Sequence, residues 1–284
     1  MQQKKVAVVT GSSSGIGFET SLLLAGNGFY TYATMRNTGK SHKIAEIAKR
    51  DNLSLEVVQL DVSNDKSVKD AINIIAEKQG RIDVVVNNAG YGSTGAVEDF
   101  LIDEIKAQFE TNFFGAVRVI QSVLPLMRSQ RNGIIVNISS IGGRIAFPFS
   151  PSYASTKFAI EGLSEALQYE VAQFGIRIIL IEPGIIRTSF FENMKRARKA
   201  EDPSSPYLQL LQKRMARVKR MFDNCTAAEE VANVILKAVA SYSEERNLRY
   251  VVGSDATLLT EKRRSMTDGE FFNFMSKHIF NSTN

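Results

Sequence analysis

Short runs of apolar, often β-branched residues alternate along this chain with longer stretches whose apolar positions recur at helical spacing. Each of seven runs predicts a β-strand, namely KVAVVT, FYTYATM, LEVVQLDV, IDVVVNN, GIIVNIS, IRIILIEP and LRYVVGS. Because these runs are almost continuously apolar, we expect strands covered on both faces, as in parallel sheets under helices. The alternation predicts one doubly wound α/β domain over residues 1–284, with a seven-stranded, mostly parallel sheet and helices on both faces.

Six helices are predicted between these strands, at about 16–27, 39–50, 64–79, 103–129, 153–174 and 227–241. Asn64 and Ser152 are suitable N-caps. Gly28, Gly80 and Gly175 stand where helices should end.

The regular alternation lapses over residues 188–224, where EDPSSP separates two basic helical pieces. An insertion at this point of the chain should lie near the carboxyl ends of the strands. We therefore predict that it forms a lid over a substrate site.

The composition is that of a globular protein, with 44% hydrophobic and 23% charged residues among 284. Cys225 is the one cysteine, so no internal disulfide can form. No secretory h-region and no apolar stretch of membrane-spanning length is present, and the two histidines do not cluster with other ligands. We expect a soluble cytoplasmic protein without a metal site.

Basic residues crowd one stretch of this chain of net charge +5: Lys195, Arg196, Arg198, Lys199, Lys213, Arg214, Arg217, Lys219 and Arg220. They could contact nucleic acid or an anionic membrane, or they could form a solvated helix face. We favour the solvated face and expect no nucleic-acid partner, because no aromatic platform is interleaved with these charges.

A glycine-rich loop, VVTGSSSGIGF, follows the first predicted strand and opens the first helix. Glycines at such a turn allow the backbone to approach a pyrophosphate, which the helix N-terminus stabilises, although an ordinary strand-to-helix loop is the alternative. Arg36, at the end of the second strand, suits a 2′-phosphate and favours NADP(H) over NAD(H). Asp61, after the third strand, could bind adenine or cap the next helix.

Tyr153 precedes Lys157 by one helical turn in PSYASTKFAI, and the next carboxylate is Glu161. A free tyrosine has a pKa of about 10 and is a poor base at neutral pH. A lysine charge at about 4 Å is worth roughly 4 kcal/mol at an effective dielectric constant near 20, or about three pKa units. We therefore predict that Lys157 lowers the pKa of Tyr153.

Six ordered motifs make the chain resemble the short-chain dehydrogenase/reductase family: TGSSSGIG, NNAG, TNFFG, ISSIGG, YASTK and PGIIRT. The resemblance implies a Rossmann fold and a catalytic set of Asn112, Ser140, Tyr153 and Lys157. It implies that the cofactor is bound by Gly11, Ser13, Ser14, Gly15, Ile16, Gly17, Arg36, Asp61, Val62, Asn88, Ala89, Gly90, Tyr153, Lys157, Pro183, Gly184, Ile186 and Thr188.

By this resemblance the chain should be an NADP(H)-dependent oxidoreductase interconverting a ketone or aldehyde with an alcohol. Tyr153 is then the general acid/base, Lys157 assists it and holds the nicotinamide ribose, and Ser140 orients the substrate oxygen. Asn112 would anchor a water for proton relay, or satisfy backbone groups in a kinked helix. The segments YATMRN, GLSEAL and YVVGSDA are nearest to the steroid and retinol reductase branch.

Family members commonly form homodimers or homotetramers through the helices at about 103–129 and 153–174, and a homo-oligomer is expected here. Apolar residues near the site predict a moderately apolar substrate, or belong to the core: Phe147, Phe149, Ile185, Phe190, Phe191 and Met194. Two alternatives stay open, namely a non-catalytic NADP(H)-binding sensor or scaffold, and a reductase of carrier-bound 3-oxoacyl thioesters.

Overall fold

A parallel sheet forms the centre of the computed structural model, which describes residues 3–222, 225–241 and 247–280. Within this described part the sheet has seven strands in the order β7-β6-β5-β4-β1-β2-β3, and each adjacent pair is parallel. The strands are β1 (Val6–Val9), β2 (Tyr30–Met35), β3 (Leu55–Gln59), β4 (Val84–Asn87), β5 (Gly133–Ile138), β6 (Ile176–Pro183) and β7 (Arg249–Val252). The predicted doubly wound fold is thus confirmed.

Ten α-helices are present in the described residues: α1 (Gly15–Gly26), α2 (His42–Arg50), α3 (Asp65–Gln79), α4 (Ile102–Phe109), α5 (Gly115–Gln130), α6 (Pro151–Val171), α7 (Leu208–Met221), α8 (Ala228–Ala240), α9 (Ser254–Ser265) and α10 (Asp268–Phe280). The helix predicted at 103–129 is divided, because a π-helical segment, Glu110–Phe114, joins α4 to α5. The six predicted helices did not include α7, α9 and α10. Of the two basic helical pieces expected around EDPSSP, the second is α7, whereas the first is wrong, because residues 195–200 form a two-residue strand and turns.

Helix ends follow the expected chemistry with one exception. The Asn64 side chain accepts a hydrogen bond from the Ser67 N–H and caps α3. Gly80 and Gly175 adopt left-handed conformations at helix ends, with φ of +69° and +71°. The N-cap prediction for Ser152 is wrong, since α6 begins at Pro151, whose fixed φ suits the first helical position.

The core lies on both faces of the sheet because successive strand residues point in opposite directions. Val6 and Val8 face α3, α5 and α6, whereas Ala7 and Val9 face α1 and α8. This arrangement leaves the loops at the carboxyl ends of the strands free to form a site. Within the described residues, no helix has the length and apolar character needed to cross a membrane.

Residues 188–222 are tied to the sheet domain on both sides. The two-residue strand Ile186–Arg187 pairs with Thr226–Ala227, and Lys195–Arg196 pairs with Ser93–Thr94. A small apolar cluster then packs the segment on the residues before α4; its buried members are Ala96, Phe100, Phe149, Ala197, Ala200 and Leu211.

Candidate active site

A cavity of about 710 Å³ opens at the carboxyl ends of the strands. All residues predicted for catalysis or cofactor binding line it except Gly17 and Asn112. We call the wall formed by the loops after β1, β2, β3 and β4 the glycine-loop end. We call the wall formed by Phe147 and by the cavity residues of 188–221 the distal end.

The glycine-loop end brings backbone very close to backbone. Gly11 has a φ of +69°, and a Cβ there would stand 2.8 Å from the Ala89 Cα. A Cβ on Gly17 would stand 2.6 Å from the Gly11 carbonyl oxygen. The Asn88 side chain fixes this contact by donating to the carbonyl oxygens of Thr10 and Gly11.

The start of α1 faces the same wall. Ser14 precedes the helix in extended conformation and makes no side-chain cap hydrogen bond. Ser13, Ser14, Gly15 and Ile16 line the cavity there. Free backbone N–H groups and the helix dipole at this point fit an anionic group such as a pyrophosphate.

Arg36 and Asp61 both line the glycine-loop end. Arg36 is exposed at the end of β2. Asp61 accepts hydrogen bonds from the N–H and hydroxyl groups of Ser63, at 3.0 and 2.6 Å. Its alternative role as a helix cap does not hold, because Asn64 caps α3.

Ser140, Tyr153 and Lys157 meet at one wall of the cavity. The Ser140 hydroxyl accepts from the Gly142 N–H at 3.0 Å and donates to the Pro183 carbonyl oxygen at 3.4 Å. Lys157 Nζ donates to the Ile138 carbonyl oxygen at 2.7 Å and lies 5.6 Å from the centroid of the Tyr153 ring. The cavity therefore brings a serine hydroxyl, a tyrosine and a lysine together.

Burial dominates the acidity of this site. It raises the pKa of Tyr153 to about 12, while a hydrogen bond with Ser140 acts in the opposite direction. Burial also lowers the pKa of Lys157 to about 8, against the opposing charge of Glu161. The expected net lowering of the Tyr153 pKa is therefore absent from this structure, in which desolvation is the largest influence on that pKa and Lys157 Nζ is bonded to Ile138.

A buried charged cluster lies behind Lys157. Glu161 is buried one helical turn further along α6, where its carboxylate accepts from Arg249 Nε at 2.9 Å. Glu182 of β6 is also buried, and Arg249 Nε lies 3.3 Å from its Oε1. Burial and the neighbouring Glu161 raise the pKa of Glu182 to about 7, while Arg144 and Arg249 lower it.

Asn112 lies beside the cavity rather than on its wall. Its amide oxygen accepts from the Tyr91 N–H at 3.0 Å, and its amide nitrogen donates to the Tyr91 carbonyl oxygen at 2.9 Å and to Thr156 Oγ1 at 3.2 Å. These bonds join the loop after β4 to α6, and they match the alternative in which the side chain satisfies backbone groups. The water-anchoring role stays a prediction.

Aromatic rings continue the distal end from Tyr153. The Tyr153 and Phe190 ring centroids are 5.6 Å apart, those of Phe190 and Phe191 are 5.5 Å apart, and those of Phe191 and Phe222 are 4.6 Å apart. Phe149, in contrast, packs in the small cluster of residues 96–211 and not on the cavity.

The sequence interpretation missed charged residues at the distal end. Arg214 and Arg217, which we expected on a solvated helix face, line the cavity together with Lys195. The sequence did contain a signal for this position. Arg214 and Arg217 lie on the same face of α7 as the apolar residues Leu211 and Val218, which are buried.

Known proteins resemble most of this chain. The uncharacterized oxidoreductase YusZ of Bacillus subtilis is 34% identical over 280 residues, which is 98% of this chain and 99% of that protein. Retinol dehydrogenase 8 of Bos taurus is 38% identical over 247 residues, 84% of this chain and 78% of that protein. A short-chain dehydrogenase structure from Streptomyces avermitilis matches with a TM-score of 0.82 at 28% identity, covering 100% of both chains.

Several other solved structures with this fold hold NAD or NADP. The short chain dehydrogenase family itself matches residues 5–199. With the match to YusZ over nearly the full length, this establishes that the chain is an oxidoreductase of the short-chain dehydrogenase family, near its retinol dehydrogenase branch.

Proposed function

We propose that this protein is an NADP(H)-dependent oxidoreductase that interconverts a ketone or aldehyde with an alcohol. The observation that carries the proposal is the meeting of Ser140, Tyr153 and Lys157 on a cavity that is continuous with the glycine loop. The names of the similar oxidoreductases and the nicotinamide nucleotides held by solved structures of this fold support the same reaction class.

The glycine-loop end would hold the nucleotide. The N-terminus of α1 faces the cavity and suits a pyrophosphate, and the loop after β1 packs closely on the loop after β4 where Gly11 approaches Ala89. Arg36 supplies a fixed positive charge with several donors at the end of β2, which suits a 2′-phosphate and supports NADP(H). When bound, the nicotinamide supplies or accepts the hydride.

Tyr153 serves as the proton donor for carbonyl reduction. With a pKa raised to about 12, its hydroxyl stays protonated at neutral pH and can protonate the oxygen of a carbonyl substrate. Lys157, whose pKa is lowered to about 8, still carries most of its charge at neutral pH and stabilises the phenolate that forms. Ser140, held by Gly142 and Pro183, positions the substrate oxygen.

Residues 188–222 would act as the substrate lid. They supply much of the distal wall, including the Phe190 ring that lies against Tyr153. The apolar rings support a moderately apolar substrate, in keeping with the similarity to retinol dehydrogenase 8.

A spectrophotometric screen tests the proposal. The purified protein is assayed for oxidation of NADPH and NADH with aliphatic, aromatic and steroid-like carbonyls and with a 3-oxoacyl thioester. Loss of the Tyr153 proton donor in Tyr153→Phe should reduce kcat by about 10²- to 10⁴-fold without changing NADPH affinity. Tyr169→Phe, at a 76% exposed tyrosine on the same helix, is the matched control.

Undiminished turnover by Tyr153→Phe would refute the assigned mechanism. NADPH binding without turnover across the panel would favour a sensor or scaffold instead. Activity confined to the thioester would favour a reductase of carrier-bound acyl chains.

A further inference from the structure

Three cationic side chains line the distal end of the cavity, namely Lys195, Arg214 and Arg217. Lys195 Nζ lies 4.4 Å from the centroid of the Tyr91 ring, which also lines the cavity. Arg214 and Arg217 are three residues apart on α7 and therefore lie on the same side of that helix.

Arg214 is anchored in the cavity wall by a backbone group. Its Nε donates to the Pro148 carbonyl oxygen at 3.1 Å, and its guanidinium carbon lies 5.7 Å from the centroid of the Phe147 ring. A guanidinium has five N–H donors. This bond uses one donor and leaves the planar terminal group available to a ligand.

The charge of this arginine pair is not compensated within the described residues. Neither Arg214 nor Arg217 forms an ion pair there, and the charge of Arg217 adds to burial in lowering the pKa of Arg214 to about 10. Like charges this close on one helix destabilise it, and half-buried cations normally have an anionic partner. The arrangement lacks its counter-charge.

The acids that line the same cavity are engaged elsewhere. Asp61 accepts from Ser63, Glu110 is paired with Arg118, and Asp255 accepts from the Ile185 N–H at 2.8 Å. None of the three appears among the groups that influence Arg214.

Apolar side chains line the same cavity as the arginine pair and the proton donor. Phe190 contacts Tyr153, Phe191 contacts Phe190, and Val218 and Met221 line the cavity on the same helix as the arginines. A ligand that contacts both Tyr153 and the arginine pair would therefore meet apolar side chains on the same cavity wall.

We propose that the distal end is a subsite for an acidic head group, and that the substrate is an apolar carbonyl or alcohol with a carboxylate or phosphate at its far end. Arg214 and Arg217 bind the head group with charge-assisted hydrogen bonds, and Lys195 adds a third charge. The proposal rests on the proposed function, because it names the substrate class of the same cavity.

Binding is measured first, by isothermal titration calorimetry in the presence of NADPH with decanoate, decyl phosphate and decanol. The wild-type protein should bind at least one of the two anions about tenfold or more tightly than decanol. The preference should fall to near unity in Arg217→Gln and in Arg214→Met/Arg217→Gln. It should persist in Lys213→Gln/Arg220→Gln, which removes two exposed charges from the same helix.

Turnover is measured second, with 12-oxododecanoate and its methyl ester, which carry the same aldehyde. The wild-type protein should reduce the acid with a kcat/KM about tenfold higher than that for the ester. The arginine variants should not show this preference. The relative affinities for decanoate and decyl phosphate identify which acidic group the subsite prefers.

Equal affinity for the anions and decanol, or an anion preference that survives Arg217→Gln, would overturn the subsite. Arg217→Gln is decisive if the double variant unfolds, since Arg217 makes no described side-chain hydrogen bond whereas Arg214 does. Absence of any carbonyl reduction would defeat the proposed function, while the calorimetric comparison would still decide the subsite.

Discussion

The two ends of the cavity are built on different principles. At the glycine-loop end, backbone packs against backbone, as where Gly11 approaches Ala89 and Asn88 binds the carbonyl oxygens of Thr10 and Gly11. At the distal end, long side chains such as Phe190 and Arg214 form the wall. A wall of backbone tolerates few residue types, whereas a wall of side chains can change with the substrate. The first end therefore defines the family, and the second should define the substrate.

A methyl group at Gly17 should break the glycine-loop end. Gly17→Ala places a Cβ 2.6 Å from the Gly11 carbonyl oxygen, which is backbone and cannot move aside cheaply. Overpacking of this kind costs about 1–3 kcal/mol, so NADPH affinity should fall by up to about 100-fold. Fluorescence titration of each variant with NADPH measures this affinity. Gly26→Ala, whose Cβ would meet only Leu53 at 3.9 Å, is the control, and equal behaviour of the two variants would contradict this interpretation.

Truncation of Phe190 should weaken only the distal end. Phe190→Ala removes the ring that packs edge-on against Tyr153, and should lower kcat/KM for an apolar carbonyl by about tenfold with NADPH affinity unchanged. Steady-state kinetics compares it with Phe158→Ala, at an exposed phenylalanine of α6. A change in NADPH affinity as large as the change in kcat/KM would show that the two ends are not separable.

The smallest effect concerns the charged cluster of Glu161, Glu182, Arg144 and Arg249. Because the folded-state pKa of Glu182 is raised to about 7, its favourable contribution is complete below the unfolded pKa near 4.5 and is lost as pH rises through about 7. Glu182→Gln should therefore lose less stability than the wild type between pH 5 and pH 8, by on the order of 1 kcal/mol. Melting curves across this range measure the difference, and parallel pH dependence in both proteins would disprove it.

Much of the fold could be predicted because its signals are local. Each strand lies in a mostly apolar run, and the spacing of the glycines after the first strand marks the loop. The start of α6 was predicted too late along the chain. Ser152 was expected to cap the helix, but Pro151 occupies its first position. Gly11, Gly15 and the Tyr153–Lys157 pair line the cavity, whereas Gly17 packs behind the loop.

The environments of several site residues could not be predicted, because they depend on tertiary contacts that produce no periodic pattern in the sequence. Whether Arg214 faces water or a cavity is decided by how α7 packs, and its charge favours water when the helix is considered alone. The pKa of Tyr153 is raised by the desolvation of its hydroxyl, which outweighs the hydrogen bond with Ser140. The side chains of Asn112 and Phe149 were likewise placed by partners distant in sequence.

The π-helical turn at Glu110–Phe114 carries one residue more than a regular α-helix would hold. Removing a single amino acid from it would let α4 and α5 merge into one continuous rod. Both helices would keep the faces that they present now, because the turn already absorbs the additional residue, but the backbone of the turn itself would be reshaped. The Asn112 amide would lose its hydrogen bonds with Tyr91, and the loop that follows β4 would no longer be joined to α6 through that side chain.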